Sequence, residues 1–226
     1  MNLFEVPRPA VPVAGTEQEF PVHRIYCVGR NYAAHALEMG HDPERTAPVF
    51  FMKPADAIVQ SGATIPYPSR TENFQHEIEL VVAIGESGRD ISAADALQHV
   101  YGYAVGIDLT RRDLQLAAKE IRATWDTAKG FDNSAPVSAL HRADDIGHPD
   151  SGQIWLSVND IIRQKADLNE LIWSVPEAIA ELSTFFELVP GDLIFTGTPA
   201  GVGPIEAGDK ITGGIERIDE IEINIS

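Results

Sequence analysis

The stretch NFQHEIELVVAIG, residues 73–85, decides how the chain is read. Successive side chains of a strand point to opposite faces, so Glu77 and Glu79 share one face while His76, Ile78 and Leu80 share the other. The run Val81, Val82, Ala83, Ile84 that follows has no polar side, the pattern of a strand covered on both faces. Two carboxylates therefore sit at the mouth of a buried strand. An unpaired buried carboxylate costs several kcal/mol even after relaxation, so each is either protonated or matched by a cation. That cation is a lysine, an arginine or a metal.

Working outward, the 226 residues with 44% hydrophobic content suffice for one large domain or two small ones. No repeat or low-complexity linker divides the chain. The expectation is an N-terminal extension over residues 1–20, rich in proline, followed by a single domain over 21–226. The chain carries 34 acids against 17 bases, a net charge of −17. That balance argues against a nucleic-acid backbone or an anionic membrane as partner. Cys27 stands alone and apolar-flanked in RIYCVGR, where a cysteine reads as core. With no basic, apolar leader and no run of 18 apolar residues, a cytoplasmic location is expected.

Local signals predict many short strands and few helices. HRIYCVG, VFFMKP and AIVQSG read as strands, and RNYAAHALEMG as a short helical segment ended by Gly40. SAADALQHVYG is expected to be a helix capped by Ser92, with Asp95 three residues on. YAVGIDLT is a strand that ends at Asp108, and TRRDLQLAAKE is helical. IWLSVNDIIRQ reads as a hairpin turning at Asn159 and Asp160, and SVPEAIAELSTFFEL as a helix opened by Ser174 and Glu177. The remainder alternates short β-runs with Gly and Pro turns. Strands and helices do not alternate regularly, so the class is α+β and β-rich, not a doubly wound sheet.

Three carboxylates are candidates to converge. Asp108 closes one strand, Glu77 and Glu79 open another, and three hard oxygen donors are the set that Mg²⁺ or Mn²⁺ takes at about 2.1 Å. Buried arginine or lysine partners are the competing reading, with Arg111 and Arg112 nearby in sequence. His76 faces the other way and reads as a packed histidine. His35 and Glu38, three apart, share one face of a helical turn, where a carboxylate can orient an imidazole and raise its basicity. An ordinary exposed pair has the same spacing. Lys129 lies among turn residues in TWDTAKGFDNSAPV, able to reach a cleft or solvent. TGTPAGVGP lacks the Gly-Lys-Ser/Thr ending of a phosphate loop and reads as a tight backbone wall.

Six motifs in order, YCVGRNYAAHALEMG, FFMKPADAIV, HEIELVVAIG, YAVGIDLTRRDLQ, AKGFDNSAPV and TGTPAGVGPIEAGD, resemble the fumarylacetoacetate hydrolase family from about Arg24 to the C-terminus. The first two are most similar to its fumarylpyruvate-cleaving members. The resemblance implies a mixed β-roll with short helices, the fold of that family's C-terminal domain. It implies Glu77, Glu79 and Asp108 as ligands of Mg²⁺, with Mn²⁺ or Ca²⁺ as substitutes. His35 and Glu38 correspond to a catalytic dyad on a mobile lid, and Lys129 to an active-site lysine. Arg30, Lys53, Arg112, Gln115 and Thr198 match positions lining the substrate pocket. The family's namesake has an additional N-terminal domain for which this sequence leaves no room, so any pocket wall from that domain is expected to be absent or replaced.

The activity so implied is hydrolysis of a carbon–carbon bond in an acylpyruvate, chiefly fumarylpyruvate to fumarate and pyruvate, in aromatic-acid breakdown of the gentisate type. The distal carboxylate of such a substrate needs its own cation, for which Arg30, Arg70 and Arg111 are candidates. Alternatives are a short-chain acylpyruvase or oxaloacetate decarboxylase, a hydroxymuconate-type isomerase, and a non-catalytic 2-oxo acid binding protein. A homodimer is the expected assembly.

Overall fold

The structure, a computed structural model, describes residues 3–38, 40 and 46–226. The strand Ile78–Ile84 is its partition wall. Ile78, Leu80, Val82 and Ile84 face one core, shared with Leu156, Ile211 and Ile223 of a second sheet and with Ile179 and Leu182 of a helix. Val81 and Ala83 face another, shared with Ile25, Cys27, Leu193 and Phe195. Alternation along one strand thus feeds two cores, and each fully buried aliphatic side chain contributes about 1.5–3 kcal/mol.

The sheet holding this wall is mixed. Its order is Val49–Lys53, Arg24–Gly29, Asp192–Phe195, Ile78–Ile84, Val100–Ile107, Ala135–Val137 and Ile58–Gln60, with His141–Arg142 also paired to Val100–Ile107. The five-stranded sheet that packs on it runs Ile161–Asp167, Gln153–Val158, Lys210–Ile215, Asp219–Ile225, Thr64–Ile65. Gly106 is required in the strand Val100–Ile107, because a Cβ there would lie 2.5 Å from Val81 Cγ2 on the adjacent strand and 2.7 Å from the Phe195 ring one strand further on. The described helices are short: α1 (Ala33–Glu38), α2 (Arg112–Glu120), α3 (Asp126–Lys129), α4 (Ala143–Ile146) and α5 (Val175–Phe185). None is long and apolar enough to cross a membrane.

Local signals place most boundaries. Ser174 opens α5 by donating its backbone N–H and its hydroxyl to the Glu177 carboxylate, at 3.0 and 2.7 Å. Asn159 and Asp160 turn the hairpin with φ of 50° and 64°, the left-handed pair that matches strand twist. Gly40 ends the α1 segment at φ +73°, its N–H bonded to the Leu37 carbonyl. One expectation is corrected. After Ser92 there is only one 3-10 turn, Ala96–His99, because Val100 already pairs with Ile84 and the sheet claims the chain before a helix can propagate. Ser92 still accepts the Asp95 N–H, at 3.2 Å. In the N-terminal stretch Ala10–Pro12 pairs with Glu19–Pro21, and Val11, Val13 and Phe20 are buried in the second core.

Candidate active site

Antiparallel register assembles the carboxylates. Ile78 pairs with Ile107 and Glu79 with Gly106, so Asp108 falls opposite Glu77, its N–H bonded to the Glu77 carbonyl at 2.8 Å. Cross-strand neighbours project to the same face. Glu77, Glu79 and Asp108 therefore converge, all buried, each with a carboxylate oxygen within 4.8 Å of the others.

The competing cation reading is realised around the same three groups. Lys129, at the end of α3, sets its ammonium 2.7 Å from both Glu77 Oε2 and Asp108 Oδ2. Arg112, the first residue of α2, donates from Nη2 to Glu77 Oε1, and from Nη1 to Gln115 Oε1 at 2.6 Å. Lys53 Nζ stands 2.8 Å from Asp108 Oδ1, close enough for an ion pair although off the direction of a hydrogen bond. It also donates to the carbonyls of Leu109 and Lys129.

Glu79 differs from its neighbours. Its one described partner is the Gly197 N–H, at 2.7 Å on Oε2, and among the described residues no cation pairs with it. Burial pushes its carboxyl well above the usual range, and the neighbouring Asp108 and Glu77 charges push it further. For Glu77 burial also pushes upward, but the Lys129 and Arg112 cations outweigh it and hold the group low. Burial would lower the Lys129 ammonium, and Asp108 and Glu77 raise it instead. A hard divalent cation fits this donor set, since it would meet three oxygen donors and give Glu79 the positive partner it lacks.

Above the cluster lies α1. His35 is buried, with Nδ1 3.1 Å from Glu38 Oε2. Glu38 is fixed in turn by the Gly201 N–H, 3.1 and 3.2 Å from its two oxygens. The residues leading into α1 are fastened by Asn31, whose Nδ2 donates to the carbonyls of Trp173 and Thr196 and whose Oδ1 accepts the Trp173 N–H at 2.7 Å. The loop around TGTPAGVGP is indeed a backbone wall, supplying Gly197 N–H to Glu79 and Gly201 N–H to Glu38. Met39 and residues 41–45, which adjoin this segment, lie outside the described residues.

A cleft of about 40 Å³ remains between α1 and the cluster. Its walls include His35, Glu77, Glu79, Asp108, Lys129, Arg30, Arg112, Gln115 and Thr198. Lys53 is the exception among the sequence candidates for the pocket wall. It lies behind Asp108, where its ammonium fixes that carboxylate and the backbone carrying Lys129. Thr198 Oγ1 accepts from Gln164 Nε2 at 2.8 Å, which leaves its own O–H free to donate toward the cleft. The same Gln164 holds His76, whose Nδ1 must donate to Oε1 at 3.0 Å, and burial lowers the His76 pKa. His76 thus faces away from the cluster as a packed, neutral histidine.

The structure separates the three arginines. Arg30 lines the cleft, Arg111 stacks on the Phe131 ring at 4.3 Å from its centroid, and Arg70 lies in a surface depression with Thr71, Glu72 and Asp113. Among the wall residues that sequence reasoning missed are Lys119 and Trp125. For Lys119 a signal existed, since Arg112, Gln115 and Lys119 stand at i, i+3 and i+7 on one helix face. Trp125 carried none beyond its size.

Comparison with known proteins bears on this geometry. The family model for the fumarylacetoacetate (FAA) hydrolase C-terminal domain matches residues 24–226. The crystal structure of a fumarylpyruvate hydrolase from Pseudomonas aeruginosa in complex with Mn²⁺ and pyruvate superposes with a TM-score of 0.97 at 50% identity, covering 100% of this chain and 99% of that one. A fumarylpyruvate hydrolase of Ralstonia sp is 46% identical over 78% of this chain and 91% of its own. A mitochondrial oxaloacetate tautomerase of Arabidopsis thaliana is 40% identical over 89% of this chain and 90% of its own.

Proposed function

Because the chain belongs to the fumarylacetoacetate hydrolase family, we propose that it hydrolyses the C3–C4 bond of an acylpyruvate, with fumarylpyruvate as the preferred substrate. The observation that carries this reading is the His35–Glu38 pair, closed by α1 over three convergent carboxylates. A divalent cation held by Glu77, Glu79 and Asp108 would supply a Lewis acid to the 2-oxo acid end and stabilise negative charge on its C2 oxygen.

The chain's own residues do the remainder. Arg112, Gln115 and the Thr198 hydroxyl line the cleft as donors for the pyruvyl carboxylate. Glu38 holds the proton of His35 on Nδ1, which leaves Nε2 unprotonated to take a proton from water. The water oxygen then bonds to C4, the C3–C4 bond breaks, and its electron pair leaves with pyruvate as the enolate. A proton returns to C3, giving pyruvate, and the acyl half leaves as its carboxylate. Lys129 adds a fixed positive charge beside the developing enolate. α1 carries His35 in the wall of the cleft, so a lifting and reclosing of α1 would admit a seven-carbon substrate and bring the imidazole back over it.

A second reading rests on the 40% identical oxaloacetate tautomerase relative. It uses the same cluster and a proton shuttle at C3 without attack by water. A panel of fumarylpyruvate, maleylpyruvate, acetylpyruvate and oxaloacetate, assayed with Mg²⁺ or Mn²⁺ for pyruvate release and for enol–keto conversion, separates the two. We expect the highest kcat/KM with fumarylpyruvate. Equal values for acetylpyruvate would favour a short-chain acylpyruvase, and enol–keto conversion of oxaloacetate without pyruvate release from any acylpyruvate would favour the tautomerase.

A further inference from the structure

Two cations of the cleft take no part in the cluster. Lys119 is half-buried in the wall, its ammonium over the Trp125 ring at 5.4 Å from the centroid. Arg30 is exposed at the rim with φ of 61°. Among the described residues no carboxylate pairs with either. In a chain with 34 acids and 17 bases, unpaired cations sharing one cleft are not what a random surface supplies. Burial and the nearby Arg112 and Arg30 charges lower the Lys119 pKa to about 8, so these like charges are close enough to repel. Holding them together has an electrostatic cost that a bound anion would offset.

We infer that Lys119, with Arg30, forms an anion subsite at the outer end of the cleft for the distal carboxylate of a dicarboxylic acylpyruvate. The subsite rests on the hydrolase reading above and names the feature that selects among acylpyruvates. Its spacing follows from α2. Arg112 meets the cluster at the inner end, and Lys119 is seven residues further along the same face, about 10 Å at 1.5 Å per residue. A seven-carbon chain with bonds of about 1.5 Å, extended, spans on the order of 7–8 Å between its carboxyl carbons. Adding a hydrogen bond at each end brings the two lengths together. Neither Arg70 nor Arg111 can serve, since one is on a separate surface and the other is spent on Phe131.

The test uses Lys119→Met, which keeps an unbranched stem against Trp125, and Lys119→Arg, which restores the charge. The ratio of kcat/KM for fumarylpyruvate to that for acetylpyruvate should fall about 10- to 100-fold in Lys119→Met, chiefly through KM, and recover in Lys119→Arg. A ratio within threefold of wild type in Lys119→Met would overturn the subsite and leave the hydrolase reading standing. Calorimetric binding of fumarate to the Mg²⁺-loaded protein reads the subsite without turnover. We expect at least tenfold weaker binding in Lys119→Met, and equal binding would refute the subsite even if wild type released no pyruvate, the outcome that would sink the hydrolase reading itself.

Discussion

Glu38→Gln isolates the proposed general base, because the two neighbours of Glu38 impose conflicting demands on an amide. In wild type Oε2 receives the His35 Nδ1 proton at 3.1 Å, while the Gly201 N–H lies 3.1 Å from Oε1 and 3.2 Å from Oε2. A glutamine has one acceptor to offer. Whichever way the amide turns, its NH₂ lies 3.1 or 3.2 Å from the Gly201 nitrogen, donor against donor. With the NH₂ toward His35 it donates to Nδ1, drives the imidazole proton to Nε2 and presents the wrong tautomer to the water. With the oxygen toward His35 the acceptor is neutral and no longer raises the basicity of the imidazole. General-base contributions are about 10²- to 10⁴-fold, and we expect kcat to fall about 10³-fold, a barrier increase of about 4 kcal/mol. Since only hydrogen bonds at a half-exposed carboxylate change, stability should fall by no more than about 1 kcal/mol. Steady-state pyruvate release under saturating fumarylpyruvate measures this directly, with His35→Ala and the double variant alongside. The double variant should be little worse than the worse single one, because the two residues act as a unit. A kcat for Glu38→Gln within threefold of wild type would refute the dyad.

Three further outcomes follow from the same geometry. Because burial and then the Asp108 and Glu77 charges raise Glu79 above the ordinary carboxylate value of 4.5, the unfolded chain ionises first as pH rises. Metal-free wild type should then lose stability relative to metal-free Glu79→Gln by up to about 1.4 kcal/mol per pH unit above that value. Mn²⁺ should raise the melting temperature of wild type far more than that of the variant, and parallel pH profiles by calorimetry would count against this. The preference for fumarylpyruvate over acetylpyruvate should decline as pH rises through about 8, where Lys119 loses its proton, and a ratio constant from pH 7 to 9 would argue otherwise. Gly197 has φ +100°, and an added Cβ would lie 2.7 Å from Asn31 Cβ and 3.0 Å from the Val28 carbonyl oxygen. Gly197→Ala should therefore cost about 2–4 kcal/mol in urea unfolding, checked by the shift in midpoint at constant slope.

Short-range order was legible in the residues alone. Alternation identified 78–84 as a strand buried on both faces. Capping groups located α5, and Asn159-Asp160 located a hairpin turn. These signals need only neighbours a few positions apart, whose relative directions are set by the backbone repeat. Where a local signal competed with pairing, as after Ser92, the ladder that Val100 forms with Ile84 decided the outcome. The N-terminal ribbon carries no such local signal, and its packing depends on distant partners, Phe20 against Tyr101 and Val13 beside Leu140.

At the site, the sequence determined that carboxylates stand at the mouth of a buried strand, and that Glu38 can reach His35 within one helical turn. It left open which cation answers those carboxylates. Only the tertiary structure brings Lys53, Arg112 and Lys129 to Glu77 and Asp108, across sequence separations of 21 residues for Lys129–Asp108 and 35 for Arg112–Glu77. It also put Lys53 behind the cluster and drew Arg30, but neither Arg70 nor Arg111, into the cleft. The physical reason is that a charge selects its partner by distance in the folded chain, and strand register and helix placement set that distance. Spacing along one strand or one helical turn fixes which face a side chain occupies and is silent about what faces it.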